Sequence, residues 1–259
     1  MDKILAGYAN EVMKQYPVAT KQLTILLGSI IKASESTAAI VFLGSKGLSD
    51  EMNVLLRTLV ELIINTCYLQ SSSDEEIGRY IRFDAIANHT AMEDFKRANK
   101  GRNQLGVALT NRTRAHAEAA SEASGLPLKK REWTPQTLKK RADSIDTHIK
   151  STMFAEFLAT FYVTGSGYTH AGFKTLHKHA YYLRTGELEH PLETAYGVNN
   201  AIYGVTYALY VFGRYLGNRF GFSTERSKVL RAEALRLTEI ALEDFRLHRR
   251  SHGTDESEP

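Results

Sequence analysis

The sequence predicts an all-α protein, a single multi-helix bundle of about nine helices with no significant sheet, on three observations. Apolar residues recur at intervals of three and four through long stretches. Only 5 prolines interrupt 259 residues. No run alternates apolar and polar side chains for long enough to make a strand. A composition of 43% hydrophobic and 24% charged residues is that of a globular chain and excludes disorder as its main state. The single Cys67 excludes a disulfide framework and any multi-cysteine zinc or iron–sulfur site.

Taken in order, periodicity and punctuation predict helices at 2–16, 19–45 with a break near Ser34 and Ser36, 50–70, 74–100, 103–123, 135–147, 150–165, 192–220 and 224–249. Ser73 with Glu76 three residues on is a capping-box pattern for the fourth of these. Thr134 before Pro135 offers a cap oxygen, followed by a proline whose missing N–H costs nothing at a first helical position. Gly101 and Gly125 stand where helices should stop. Residues 125–134 and 171–191 read as irregular. Ala195 to Gly213 is uncharged for 19 residues, but its two asparagines, threonine and four tyrosines point to a buried core helix rather than a membrane span. Gly213, Gly217 and Gly221 recur every fourth residue and predict close helix packing, within the chain or in a dimer. With no internal repeat and no linker, the reading is one helical domain over 1–250 and a disordered acidic tail over 251–259. Leftover apolar stripes in such a bundle predict a homodimer. The opening residues show no charged-then-apolar leader, so a cytoplasmic, bacterial-type protein off the membrane is expected.

Charge is distributed unevenly. Residues 96–141 hold 12 basic and 3 acidic side chains, whereas residues 1–95 hold 8 and 12. From the basic stretch, Arg112, Arg114, Lys129, Lys130, Arg131, Lys139, Lys140 and Arg141, with Trp133 as a stacking surface, form a candidate nucleic-acid footprint. The competing reading is a solvated surface.

Familiar cofactor signatures are absent. There is no phosphate-loop pattern, and Gly165 and Gly167 lack the third glycine and preceding strand of a dinucleotide site. One ExxH, Glu187 and His190, is too little for a di-iron bundle. His170, His177 and His179 lack a regular helical interval, so neither metal nor cofactor is expected. Arginine followed by histidine at the spacing of HEPN ribonucleases occurs at Arg82/His89, Arg141/His148 and Arg184/His190. Even so, 18 arginines and 9 histidines in 259 positions supply about two such pairs by chance.

Two segments are more distinctive. In NVLLRTLVELIINTCYL, Asn53, Arg57, Glu61 and Asn65 share one helical stripe opposite Leu55, Leu56, Leu59, Leu62 and Ile63, and Arg57 can pair with Glu61. In FYVTGSGYTHAG, Tyr162, Ser166 and His170 repeat at intervals of four, while Gly165 and Gly167 permit close approach of another backbone or a ligand. Over about residues 40–175 this combination resembles an uncharacterised bacterial all-helical family, a numbered domain of unknown function of the DUF5677 kind. Families of this appearance are loosely similar to HEPN and abortive-infection proteins of bacterial defence. The resemblance implies one polar cluster of Arg57, Glu61, Tyr162, Ser166 and His170. Its implied chemistry is that of a metal-independent, HEPN-like ribonuclease or other phosphodiester hydrolase. In it His170 shuttles a proton, Arg57 neutralises phosphate, Glu61 holds Arg57, and Tyr162 or Ser166 orients RNA. The alternative is a non-catalytic homodimer that binds nucleic acid or a partner protein, with the cluster as a structural network.

Overall fold

In the computed structural model, residues 2–15, 20–98, 104–129, 132–163, 165–166, 191–221, 232 and 236 are described. Among them the chain is all-α, with eight helices and no strand. These are α1 (Asp2–Gln15), α2 (Lys21–Gly44), α3 (Ser49–Leu69), α4 (Asp74–Ala98), α5 (Gln104–Ser124), α6 (Leu138–Ile149), α7 (Met153–Phe157, running on as a π-helical turn, Leu158–Tyr162) and α8 (Pro191–Phe220). The expected bounds hold to within about three residues. Of the helix expected at 224–249 only Ala232 and Arg236 are described, both helical, while residues 171–190 of the expected irregular stretch and the tail at 251–259 lie outside the described residues.

Local chemistry sets several boundaries. Thr20 Oγ1 accepts from the backbone N–H of Leu23 at 3.1 Å and caps α2. Ser73 Oγ accepts from the N–H of Glu76 at 3.3 Å and caps α4, as its spacing predicts. Gly125, at φ +65°, follows the last residue of α5. Helix α2 continues through Ser34 and Ser36, with Ser36 turned into the interior. Helix α6 begins at Leu138, three residues later than expected. The Thr134 hydroxyl is instead engaged in a local turn, accepting from Gln136 N–H and donating to Glu76 at 3.3 Å.

The contacts divide the chain into two compact units, Met1–Tyr68 with Leu138–Pro259, and Leu69–Thr137. In the first, α3 is the central element, burying Met52, Leu56, Leu59, Val60, Ile63, Ile64 and Cys67. Helix α8 lies in the same core through Val205, Leu209, Phe212 and Leu216, and is a core helix as expected. Its Tyr215 hydroxyl donates to the Cys67 carbonyl at 2.8 Å, and its ring meets Phe154 edge-on at 5.9 Å. Phe157 and Phe161 continue this wall against Tyr203 and Tyr207. The buried Asp146 of α6 holds the start of α7, accepting from the N–H groups of Phe154 at 3.0 Å and Ala155 at 2.8 Å. Burial raises the carboxyl of Asp146 above its usual range, and the two backbone donors only partly offset this.

The second unit is an antiparallel pair, α4 against α5. Thr110 Oγ1 donates to the Met92 carbonyl at 3.2 Å, Thr113 Oγ1 meets His89 Nδ1 at 3.1 Å, and Ile86 packs with Ala120 and Leu126. Trp133 closes the unit, packed edge-on against Tyr80 with ring centroids 5.2 Å apart.

Candidate functional site

The most distinctive polar cluster joins α3 to the end of the α7 segment within the first unit. After Phe157 the helix widens into a π turn at Leu158–Tyr162, which accommodates one extra residue and rotates the side chains beyond it. Phe154, Phe157 and Phe161 stay in the core, while Tyr162, Gly165 and Ser166 meet α3. Gly165 is what allows the contact. A Cβ built there would lie 2.7 Å from Arg57 Cβ and 2.7 Å from the Asn53 carbonyl oxygen, so any larger residue would push the two helices apart.

At this crossing Arg57 Nε donates to Ser166 Oγ at 3.0 Å, and Arg57 Nη2 donates to Tyr162 Oη at 2.8 Å. The guanidinium carbon sits 4.5 Å from the centroid of the Tyr162 ring, a cation–π contact. Ser166 Oγ in turn donates to the Tyr162 carbonyl at 2.9 Å. Arg57 is half-buried, and two of its five N–H groups are engaged by these hydroxyls. Among the described residues no carboxylate neutralises it. Glu61, one turn further along α3 and also half-buried, forms no ion pair with it, which corrects the expected Arg57–Glu61 pairing. An arginine placed N-terminal to a glutamate has the less favourable i,i+4 orientation, and the two hydroxyls present a competing, geometrically fixed pair of acceptors.

The neighbouring polar residues of α3 are internal. Asn53 is buried and donates to the Ser49 carbonyl at 2.8 Å, and Asn65 Oδ1 accepts from Arg141 Nη1. His170, the remaining member of the expected cluster, lies outside the described residues, as do His177, His179, Glu187, His190, Lys130 and Arg131. Among the described residues no group of three or more His, Cys, Asp or Glu side chains is arranged to hold a metal ion.

Two members of the basic footprint stand differently from the sequence expectation. Trp133 is 6% exposed with its ring against Tyr80, and Arg141 is 6% exposed with its head on Asn65. Neither is offered to a ligand, because each has been drawn into the interior by a neighbour distant in sequence. Arg112, Arg114, Lys129, Lys139 and Lys140 are exposed, with Arg114 facing Glu118 at 3.7 Å. Of the arginine–histidine pairs at HEPN spacing, Arg82/His89 and Arg141/His148 fall within the described residues. His89 is buried on Thr113, and Arg141 is spent on Asn65. Spacing alone could not have revealed Asp146 as the cap of α7, because its backbone partners lie eight and nine residues away.

Helices α2 and α3 are each long and apolar enough to cross a membrane by length and composition, α3 being mostly buried in the first unit. No curated protein and no solved structure matches the chain. A family model does match, over residues 23–186, a span that includes α2 from Leu23 onward, α3 to α7 and every member of the Arg57 cluster. The chain belongs to DUF5677, a family of unknown function.

Proposed function

We propose that this is a bacterial defence- or stress-associated helical protein whose Arg57–Tyr162–Ser166 cluster binds a phosphate of RNA and supports metal-independent, HEPN-like cleavage. The observation that carries this reading is electrostatic: a half-buried guanidinium held by two neutral hydroxyls, with no described carboxylate to balance it. Partly desolvating a cation without a counter-charge is costly, and an incoming anion offsets that cost. The hydroxyls fix the orientation of Arg57 without quenching its charge, leaving N–H groups to receive a phosphate oxygen. In the reading, His170, four positions beyond Ser166 in the sequence, moves the proton between the 2′-hydroxyl and the leaving oxygen, and Glu61 shapes the field around Arg57.

The second reading, a structural network, is favoured by the tight packing at Gly165, since an arginine that clips two helices together needs no ligand. Two measurements separate them. Inorganic phosphate at ten times its dissociation constant stabilises a binding protein by about 1.4 kcal/mol, or roughly 3–6 °C in Tm for a domain of this size. The phosphate reading expects that shift in the wild type against chloride at matched ionic strength, and its loss in Arg57→Lys, whose ammonium cannot keep both the fork and the ring contact. It also expects total RNA to be degraded on overexpression of the wild type and intact with His170→Ala. Equal Tm values in phosphate and chloride, with intact RNA throughout, refute it in favour of the network.

A further inference from the structure

We propose that the outward face of α2 is the seam of a two-fold homodimer, in which α2 packs antiparallel against α2 of a second copy. This is independent of the phosphate reading. Helix α2 is apolar enough over 18 residues to cross a bilayer, yet only 33% of that stretch is buried. Six of its nine exposed residues fall on one stripe, Thr24, Gly28, Ile31, Glu35, Ala38 and Phe42, spaced alternately by four and three. At about 100° per residue these six lie within an arc of roughly 80° and a length of about 27 Å. Ile31 is 61% exposed and Phe42 62% exposed, which is unusual for two large apolar side chains on a single helix face.

The chemistry of the stripe selects a second copy over a membrane. Lys32 and Glu35 form an exposed ion pair at 3.2 Å near its middle, and a pair of charges at the centre of an apolar face is poorly tolerated in hydrocarbon. The same pair is self-complementary. The four–three spacing reads alike in both directions about residue 33. An antiparallel copy therefore sets Gly28 against Ala38, Thr24 against Phe42 and Ile31 against Glu35 of the second copy, with Lys32 next to that Glu35 and each contact repeated reciprocally. A closed two-fold interface requires that reciprocity. The small side chains at 28 and 38 bring the axes close, and the space outside Gly28 is open. Burying Ile31 and Phe42 supplies the apolar drive, and the crossed Lys32–Glu35 pairs fix register and direction.

The test is the solution mass of the full chain. The wild type is expected at twice 29.1 kDa. Ile31→Asp combined with Phe42→Asp should raise the dimer dissociation constant at least about tenfold, with helicity unchanged by circular dichroism. Lys32→Glu alone should weaken the dimer, and adding Glu35→Lys should restore it. Because Cys67 is buried, Gly28→Cys mixed with Ala38→Cys should yield a disulfide-linked dimer, while neither variant does so alone. The proposal is overturned by a monomeric wild type, by a dimer indifferent to these substitutions, by cross-linking of Gly28→Cys alone, or by α2-dependent flotation of a monomer on anionic phospholipid vesicles.

Discussion

Replacing Gly165 by alanine tests whether the α3 crossing is as close as its geometry implies. The new methyl group would stand 2.7 Å from Arg57 Cβ and 2.7 Å from the Asn53 carbonyl oxygen. Relaxed carbon contacts lie near 3.5–4.0 Å, so the excess is about 1 Å against two groups at once. One of these is backbone oxygen, which cannot swing aside. Overpacking of this kind costs about 1–3 kcal/mol. Separating the helices also lengthens the bonds from Arg57 to Tyr162 and Ser166, and a hydrogen bond to a charged group contributes about 1.5–3 kcal/mol. Alanine recovers at most about 1 kcal/mol of helix propensity. The expected net loss is about 1.5–5 kcal/mol, or roughly 3–20 °C in Tm. Gly28→Ala, made in the Ile31→Asp, Phe42→Asp background so that no second copy packs there, is the internal control, since a Cβ there meets nothing within 4 Å of its own chain and only the propensity gain remains. Thermal unfolding followed by circular dichroism decides between them. If Gly165→Ala stabilises the protein as Gly28→Ala does, the helices do not touch there and the cluster built on that contact is wrong.

Three further outcomes concern the core. The Tyr207 hydroxyl is pushed up to about 12 from 10.0, chiefly by burial and then by the charge of Glu156. The unfolded chain therefore ionises this tyrosine first, and stability should fall as pH rises from 10 to about 12. Tyr207→Phe should flatten that part of a denaturant-midpoint profile against pH. Asp146→Ala strips the acceptor from two backbone N–H groups at the start of α7 and should cost about 1–2 kcal/mol in urea unfolding. Tyr215→Phe leaves the Cys67 carbonyl without its buried donor and should cost about 1–3 kcal/mol by the same assay, with no change in helicity.

What the sequence made legible is what depends on near neighbours. Ser73 caps α4 because its hydroxyl and the Glu76 N–H are three residues apart, a relation any helix start imposes. The asparagines, threonine and tyrosines within 195–213 likewise marked α8 as a core helix in spite of its uncharged length. Interactions that cross the fold left no such trace. Asp146 reads as one more charge on an amphipathic helix until the start of α7 arrives beside it. Arg141 belongs to a basic triplet, yet its position on α6 turns it inward to Asn65, 76 residues earlier, while Lys139 and Lys140 stay outside. Counting charges along a chain treats every arginine as solvated, and a long aliphatic stem with a polar partner is enough to break that rule. Trp133 was open to the same error, since a ring beside lysines looks available until Tyr80 covers it.

The choice Arg57 makes among its neighbours bears most directly on function. Glu61 is one turn away on the same helix and would cancel its charge, yet the guanidinium reaches instead for hydroxyls 105 and 109 residues further along the chain. A helix clip selected for stability alone gains more from a carboxylate in that position, because a partly buried charge is stabilised most by its opposite. Neutral acceptors do something different: they hold the planar head over the Tyr162 ring in one orientation while its positive charge stays available. The π turn and Gly165 both place strain or lost propensity at the same crossing, and departures from regular helix concentrate where a side chain must be aimed rather than merely packed. Among the described residues no carboxylate offsets this aimed cation, and the proposed phosphate ligand rests on that arrangement.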